Sequence, residues 1–393
     1  MPSKVKTGLD RFERAWPKPL KNAKIGLLVH PASINSGYNH ASELFCKTGQ
    51  CRLSVLFGPQ HGIKGETQDN MIEWEGFRDP LTGLPVYSLY GNTRKPLPEM
   101  LMNVDVMVID MQDVGSRYYT FIWTMALVME ACQEQGKAVV ILDRPNPIGG
   151  DMTEGPVLIP EFASFVGLRR LPVRHGMTIA EIALYLKDVY YPSLDLYVIR
   201  MTGWKRRMWL DDTGLPWVLP SPNMPTLDTA AVYPGMCLLE GTNLSEGRGT
   251  TRPFEIFGAP FIESERLVKK LREFRLPGVF FRPLHFLPTF QKHAGKPCGG
   301  TQIHLTDRRK FKAFKTAAAI LKSVRELYPS DFSWNKPPYE YEERLFPIDI
   351  LAGTDRFRED VDSGKNLNAM EAWWSKESRE FAKKIKEKYL IYK

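Results

Sequence analysis

The sequence predicts an α/β fold built on a doubly wound, mainly parallel sheet, and three features support this. Short runs of Val, Ile and Leu without alternation are typical of parallel strands that are covered on both faces. A segment of helical length separates two of these runs, and the order strand–helix–strand implies a right-handed crossover. Polar loops rich in His, Asp, Arg, Asn and Gln follow three of the runs directly.

The predicted elements alternate along the chain. Strands are predicted at 24–30, 52–58, 104–110, 138–143 and 195–201. Helices are predicted at 119–137, 178–190, 263–274 and 309–327, followed by an amphipathic tail at 371–392. The second helix has a defined start, because Thr178 is its expected N-cap and Glu181 occupies the capping-box position. We expect the Trp and Phe side chains of the tail to pack onto a core.

The pattern changes in the middle of the chain. Residues 204–260 are rich in Pro, Gly and Trp, and a long irregular segment inside a compact protein is more often a functional wall than a linker. Strand-like runs at 276–286 and 300–307 follow it. We therefore expect a first domain over 1–245 that carries most of the site, and a smaller second domain over 246–393 that closes a cleft.

Composition and charge limit the classes of partner. The chain has 393 residues, 43% of them hydrophobic and 25% charged, with a formal net charge of +8. That charge permits an anionic ligand, but Lys and Arg are spread over helical patterns such as 309–315 and 383–389, without the dense stripe of a nucleic-acid-binding face. We expect a small-molecule partner and no nucleic acid, while the sequence leaves the oligomeric state open.

The compartment is predicted from the cysteines and the hydropathy pattern. The five cysteines show no CxxC spacing, so free thiols are expected rather than a disulfide framework or a zinc site. Residues 1–16 have no apolar signal core, and no segment approaches the ~20 apolar residues of a membrane span. A cytoplasmic protein without membrane association is the expectation, although a trimmed secreted form would have the same sequence.

The three polar loops predict a site at one edge of the sheet. The sequences GPQHGIKGETQDN, MQDVGSRYYT and RPNPIGG follow the runs at 52–58, 104–110 and 138–143. Ligands of open parallel sheets bind beyond the carboxyl ends of the strands. The Gly-rich stretch EGTNLSEGRGTTRPFE at 240–255 could approach the same ligand closely.

Several side chains in these loops are candidates for the chemistry. The candidates for acid–base or nucleophilic roles are Asp113, Glu154, Glu246 and His61. The candidates for substrate binding are Gln60, Asp69, Gln112, Arg117, Tyr118, Arg144, Asn146, His175, Asn223, Asn243 and Arg248. Structural roles remain open alternatives: Asp113 could pair with Arg117 and cap a helix that begins near residue 116. Likewise, Arg144 could pair with Asp143, and His175 could bond to its own turn.

Missing motifs narrow the reaction class. The sequence has no GK[ST] phosphate loop, no GxGxxG after the first strand, no HExxH and no GxSxG elbow. We therefore expect neither a cofactor nor a metal. Carboxylates, amides, arginines and aromatic residues remain, and that composition suits carbohydrate chemistry, in which two carboxyl groups act on a glycosidic bond.

The motifs GPQHGIKG, VDVMVIDMQDVGSRYYTFIWTM, LDRPNPIGG, SPNMPTLDTA and YPGMCLLEGTNLSEGRGTTRPFEIFGAP resemble the NamZ-type exo-β-N-acetylmuramidase family. The resemblance runs from about residue 24 to 355. It implies a Rossmann-like domain joined to a smaller α/β domain, with the site in the cleft between them. It also implies release of N-acetylmuramic acid from the non-reducing end of peptidoglycan fragments during cell wall recycling, with Arg117, Arg144 or Arg248 as partners for the lactyl carboxylate.

One position departs from the family pattern, which has Glu where this chain has Gln60. An amide cannot exchange a proton at useful pH, so that role cannot be transferred to residue 60. Another carboxylate can serve, and the candidates are Glu66, Asp69, Glu73, Asp113, Glu154 and Glu246. The alternative hypothesis is a catalytically altered or inactive protein that binds amino sugars or muropeptides. A third, an amidase or transferase, keeps the fold and changes the chemistry.

Overall fold

The computed structural model describes residues 5–69 and 71–393, and its elements alternate as the sequence predicts. The strands are β1 (Lys24–Val29), β2 (Arg52–Gly58), β3 (Phe77–Arg78), β4 (Pro85–Ser88), β5 (Val106–Asp110), β6 (Ala138–Leu142), β7 (Glu154–Val157), β8 (Pro172–Arg174), β9 (Leu196–Ile199), β10 (Ile256–Ala259), β11 (Val279–Phe286) and β12 (Cys298–Leu305). The α-helices are α1 (Gly8–Ala15), α2 (Ala41–Lys47), α3 (Phe121–Glu134), α4 (Ile179–Tyr190), α5 (Leu210–Thr213), α6 (Leu227–Met236), α7 (Ser264–Glu273), α8 (Ala313–Leu327), α9 (Pro347–Ala352), α10 (Arg356–Asp362) and α11 (Leu367–Lys384).

A seven-stranded sheet in the order β3-β4-β2-β1-β5-β6-β9 forms the centre of the molecule. Its pairs are parallel except for the edge pair β3–β4, so the predicted α/β class is confirmed. The chain first builds outward from β1 through β2 and β4, then crosses to β5, β6 and β9 on the other side. The strand order therefore reverses between β1 and β5, where open sheets of this kind bind ligands.

The continuous apolar strands are explained by two covered faces. Leu28 packs into one hydrophobic cluster, beneath α3 and α4, whereas Leu27 and Val29 pack into a second cluster with α1 and α2. Every residue of β5 and β6 is buried. Burial of one Leu or Val side chain stabilises the fold by about 1.5–3 kcal/mol, so alternation with polar residues would be costly here.

Two helix starts compare differently with the sequence predictions. For α4 the capping box is confirmed: Thr178 Oγ1 accepts from Glu181 N at 3.3 Å, and Thr178 N donates to Glu181 Oε2 at 3.0 Å. The prediction of a helix beginning near 116 is wrong, because α3 begins at Phe121. Residues 116–120 instead form a turn in which Tyr119 N donates to Ser116 O.

A small antiparallel sheet in the order β10-β12-β11 follows the central sheet. Helix α7 packs against it and α8 packs against α7, and both helices lie where the sequence predicts them. The tail forms α11, which buries Trp374 and Phe381 as expected. Between the sheets, α6 continues into a 3₁₀ turn at Cys237–Gly241. The patterns do not predict β3, β4, the β7–β8 hairpin or helices α1, α2, α9 and α10, because their apolar runs are short. Elements α5, α6 and β10 lie within the segment 204–260 that was expected to be irregular.

All five cysteines are free, as predicted, and only Cys46 among them is exposed. Across residues 5–69 and 71–393, no helix is long and apolar enough to cross a membrane.

Candidate active site

A pocket opens beyond the carboxyl ends of β2 and β5, close to the reversal in strand order. Its empty space is about 500 Å³, a figure that includes open solvent at its mouth. The lining comes from five parts of the chain, which are the loop after β2, the turn at the start of α3, Val166, the segment 221–254 and the turn at 339–340. Of the predicted site residues, this lining brings together Gln60, His61, Tyr118, Asn223 and Arg248.

His61 is held in an unusual backbone conformation at the end of β2. Its φ of +69° lies in the left-handed region, and Gly62 N donates to Pro59 O at 3.1 Å to close the turn. The Nδ1 atom of His61 lies 2.7 Å from the carbonyl oxygen of Thr67, so Nδ1 carries the proton. Burial lowers the pKa of His61 to about 4. At neutral pH the ring is therefore uncharged, and Nε2 is a hydrogen-bond acceptor.

Gln60 lies beside His61 in the pocket wall. Its Oε1 accepts a hydrogen bond from Thr120 Oγ1 at 2.7 Å, which joins the loop after β2 to the start of α3. With the oxygen oriented by Thr120, the amide nitrogen is the end that can donate to a ligand. The position can therefore bind a carbonyl or hydroxyl group but cannot supply a proton.

Glu340 brings a carboxyl group to this pocket that the sequence analysis missed. Its side chain is 4% exposed, and its Oε2 accepts from Tyr90 OH at 3.0 Å. Burial raises the pKa of Glu340 to about 7, so a protonated fraction is present at neutral pH. Glu340 and Tyr341 have φ values of +45° and +69°, which non-glycine residues rarely adopt. The sequence YEYEE carries no local signal that would single out this glutamate.

Glu240 contributes a second carboxylate, held as an ion pair. Arg248 Nη2 donates to its Oε1 at 2.7 Å, and Tyr339 OH donates to its Oε2 at 2.7 Å. Glu240 begins the Gly-rich stretch that the sequence analysis noted, but it had not been selected as a site residue. The pocket therefore combines one carboxyl group with a raised pKa and one paired carboxylate.

Glu246 lies on the far side of Arg248. Its Oε1 is 3.2 Å from Arg248 Nε, and its Oε2 accepts from Lys292 Nζ at 3.0 Å. Burial by itself would raise the pKa of Glu246. The charge of Lys292 and, to a smaller extent, that of Arg248 outweigh this effect, so the pKa is lowered. Glu246 lines a neighbouring cavity together with Glu240 and not the main pocket. Its geometry fits a residue that positions Arg248 better than a proton donor.

The other two predicted catalytic carboxylates lie elsewhere. Asp113 does not pair with Arg117: its Oδ2 accepts from Gly115 N at 2.7 Å and lies 3.2 Å from His175 Nε2. Glu154 accepts at Oε1 from Lys315 N at 3.1 Å, against α8, and burial raises its pKa. Among the described residues, the lining of the main pocket does not include Asp113, His175 or Glu154.

Two predicted arginines are occupied inside the fold. Arg117 is fully buried and donates to three backbone carbonyls, those of Pro156, Leu171 and Leu351. Arg144 does not pair with Asp143. Its Nε and Nη2 instead donate to Asp110 at 2.6 and 2.7 Å. The structure therefore brings neither guanidinium to the pocket.

The predicted amides and Asp69 mostly bond within the chain. Nitrogen atoms of Gln112, Asn146 and Asn243 donate to backbone carbonyls of Pro145, Met177 and Asp331 respectively, at 2.7–3.0 Å. Asn223 does line the pocket, and its Nδ2 donates to Gln68 O at 2.6 Å. Asp69 accepts from Gln291. In the part of the chain that the structure describes, no three His, Cys, Asp or Glu side chains converge as metal ligands would.

Comparisons with known proteins cover both halves of the chain. Models described as exo-beta-N-acetylmuramidase NamZ match it, the N-terminal model over residues 25–228 and the C-terminal model over residues 231–392. These models meet about 15 residues before the predicted domain boundary.

One curated relative and two solved structures are similar over nearly the whole length. The peptidoglycan beta-N-acetylmuramidase NamZ of Bacillus subtilis (strain 168) is 46% identical over 389 residues, which is 99% of this chain and 92% of that protein. A DUF1343 family protein from Bacteroides fragilis NCTC 9343, BF0371, is 34% identical with a TM-score of 0.88. A second from the same organism, BF0379, is 28% identical with a TM-score of 0.77, and both alignments cover 99% of each chain.

Proposed function

The chain belongs to the NamZ family of exo-β-N-acetylmuramidases, and we propose that it releases N-acetylmuramic acid from the non-reducing end of peptidoglycan fragments. Family membership makes it a glycosidase. The observation that carries the proposal for this pocket is that two buried glutamates, Glu240 and Glu340, line it in different electrostatic states. The comparisons give no support to the alternative of an inactive sugar-binding protein.

We assign the role of general acid to Glu340. Hydrolysis of a glycoside needs a proton on the leaving oxygen as the bond to the sugar breaks. A carboxyl group with a pKa near 7 holds that proton at neutral pH and can still release it, which is the tuning that acid catalysis requires. This assignment also accounts for Gln60, because the acid then comes from another part of the chain.

We assign the second carboxylate role to Glu240. Positive charge develops on the sugar ring in the transition state, and a negative group beside it is stabilising. Arg248 and Tyr339 fix both oxygens of Glu240, so the group is positioned before the substrate arrives. Around it, the acceptor Nε2 of His61 and the amide nitrogen of Gln60 are suited to the hydroxyl and N-acetyl groups of an amino sugar.

The setting that we propose is the recycling of peptidoglycan fragments in the cytoplasm. Five cysteines without a disulfide are compatible with a reducing compartment. Fractionation of the source cells, with the protein followed by antibody beside a cytoplasmic and a secreted marker, tests this. Recovery with the secreted marker would contradict the proposed setting and leave the proposed reaction standing.

A turnover assay with matched variants tests the reaction. The wild-type protein is expected to release 4-nitrophenol from the 4-nitrophenyl β-glycoside of N-acetylmuramic acid. On a muropeptide, whose leaving group is a sugar, Glu340→Gln should lower kcat by about 10²–10⁴-fold, as expected when a general acid is lost. The loss should be smaller on the nitrophenyl glycoside, because nitrophenolate leaves with little protonation. Glu343→Gln, an exposed neighbour with the same change of charge, should leave kcat unchanged. Absence of turnover by folded wild-type protein, on this glycoside and on muropeptides, would contradict the proposal.

A further inference from the structure

The arginines expected to bind the lactyl carboxylate of muramic acid already have partners. Arg117 donates to backbone carbonyls, Arg144 to Asp110, and Arg248 lies between Glu240 and Glu246. Each of these guanidinium groups is held by buried acceptors and would have to give up those bonds to turn toward a new anion. Nε of Arg117 and Nε of Arg248 have no hydrogen-bond partner among the described residues, but each is a single donor on a group that is otherwise bound. A guanidinium with two free donors on one edge would suit the carboxylate of the substrate better.

Arg94, in the loop after β4, has hydrogen-bond donors that are not paired. Its Nε and Nη2 are buried and have no hydrogen-bond partner among the residues that the structure describes. The carboxylate nearest to them, Glu73 Oε1, is 3.9 Å from Nη2, beyond hydrogen-bond distance, and the side chain of Glu73 is 47% exposed. Buried polar atoms are nearly always satisfied in folded proteins, so two orphaned donors on one guanidinium indicate a missing acceptor.

The two orphaned atoms have the geometry that a carboxylate requires. Nε and Nη2 lie on the same edge of a guanidinium, where two parallel N–H bonds match the two oxygens of a carboxylate. The plane is held in place from one side, because the Arg94 guanidinium lies 3.4 Å from the centre of the Tyr341 ring. Tyr90 and Phe165 are within 5.3 and 5.5 Å. An oriented donor pair loses little conformational freedom on binding.

Arg94 lies behind the lining of the pocket and is connected to that lining through its three aromatic neighbours. Tyr90, whose ring lies beside the guanidinium, donates through its hydroxyl to Glu340 in the pocket. Tyr341, on which the guanidinium stacks, follows Glu340 directly in the chain. Phe165 precedes Val166, which lines the pocket. The donor pair therefore belongs to the Glu340 end of the site.

We propose that Arg94 binds the lactyl carboxylate of the muramic acid residue through Nε and Nη2 and so selects N-acetylmuramic acid over N-acetylglucosamine. This rests on the proposed function, since only that function puts a muramic acid residue in the pocket. The two sugars differ by the lactyl ether alone, so one bidentate contact is enough to distinguish them. Arg94 is a binding residue and takes no part in the proton transfer.

Titration calorimetry with three ligands tests this directly. The ligands are N-acetylmuramic acid, its methyl ester and N-acetylglucosamine, and the proteins are wild type, Arg94→Gln, Arg94→Lys and Arg344→Gln. Wild type should bind the acid about 10- to 100-fold more tightly than the ester, the range expected for hydrogen bonds to a charged group. Arg94→Gln should lose this preference, and Arg94→Lys should keep only part of it, because an ammonium cannot form the fork.

The control and the ratio of affinities separate recognition from folding. Arg344 is 88% exposed, so Arg344→Gln has the same change of charge and should keep the wild-type preference. Thermal melts verify that each variant is folded. The affinity for the acid is divided by the affinity for the ester of the same protein. A variant that binds both ligands more weakly therefore keeps the same ratio.

The outcomes also distinguish this inference from the proposed function. Equal binding of acid and ester by wild type, binding of neither, or an unchanged ratio in Arg94→Gln would overturn the role of Arg94. If turnover of the muramide persists in that case, the proposed function stands. If the acid is preferred through Arg94 but no glycoside is hydrolysed, the proposed function fails and the recognition role stands.

Discussion

At the scale of single residues, the surroundings of Glu340 determine when it can act as an acid. Burial raises its pKa, and the hydrogen bond from Tyr90 lowers it, with a result of about 7. The folded protein therefore binds this proton more tightly than the unfolded chain does. The associated stability is fully present below the unfolded pKa and is lost as the pH rises through about 7.

Removal of the Tyr90 hydroxyl should move the pH dependence of catalysis. If the protonated form of Glu340 is active, kcat/KM falls as the pH rises through about 7. Tyr90→Phe removes a donor to the carboxylate, so the pKa rises and the alkaline limb moves to higher pH. The measurement is the profile of kcat/KM against pH on a muropeptide, whose sugar leaving group needs the proton.

Tyr87→Phe is the matched control. Tyr87 lies in β4, three residues before Tyr90, where it is partly buried and its ring contacts Phe57. Its profile should coincide with that of wild type. The assignment of Glu340 as the acid would be contradicted if the alkaline limb of the Tyr90→Phe profile stays in place or moves to lower pH.

At the scale of elements, α6 and the 3₁₀ turn after it place one wall of the pocket. Tyr233 lies in α6, and Cys237 and Glu240 lie in the turn. This helix packs so closely on α8 that a Cβ atom at Gly235 would lie 2.0 Å from the carbonyl oxygen of Ala313. Only glycine permits that approach, and the position of Glu240 depends on it.

Gly235→Ala should therefore push α6 away from α8. We expect a loss of about 1–3 kcal/mol in the free energy of unfolding, typical of an overpacked core, together with reduced kcat. Urea denaturation measures the first effect, and the muramide assay measures the second. Gly49→Ala is the control, since a Cβ there meets nothing within 4 Å, and its stability should change by less than about 0.5 kcal/mol. Wild-type stability in Gly235→Ala would show that the helices can separate without cost.

At the scale of the whole molecule, Arg117 connects the two halves of the chain. Its Nη1 donates at 2.9 Å to Pro156 O and to Leu171 O, beside the β7–β8 hairpin. Its Nη2 donates at 2.7 Å to Leu351 O in α9. One guanidinium thus satisfies three buried carbonyls that belong to separate parts of the fold.

We predict that Arg117→Gln costs stability rather than affinity. Three buried backbone carbonyls lose their hydrogen-bond donor. The free energy of unfolding should therefore fall by more than about 3 kcal/mol. The KM of the folded enzyme for the muramide should not change. Arg207→Gln, at an exposed arginine, controls for the change of charge. A raised KM at an unchanged melting temperature would instead support the substrate role expected from the sequence.

The sequence by itself determined the architecture and one edge of the site. Strands β1, β2, β5, β6 and β9 and helices α3, α4, α7, α8 and α11 lie where their patterns predict them. These patterns are local, because period and capping depend on residues a few positions apart. The loop after β2 was predicted for the same reason: a polar segment directly follows a buried strand, and it places Gln60 and His61 in the pocket.

Only the tertiary structure decided which charged groups reach the pocket and which are used to hold the fold. Tyr90 and Glu340 are 250 residues apart in the chain, and Arg117 is 234 residues from Leu351. No local pattern records contacts at that separation. Whether a buried arginine or glutamate is occupied depends on partners that folding brings together, and this is why Arg117 and Arg144 leave the list of candidates while Glu340 and Arg94 enter it.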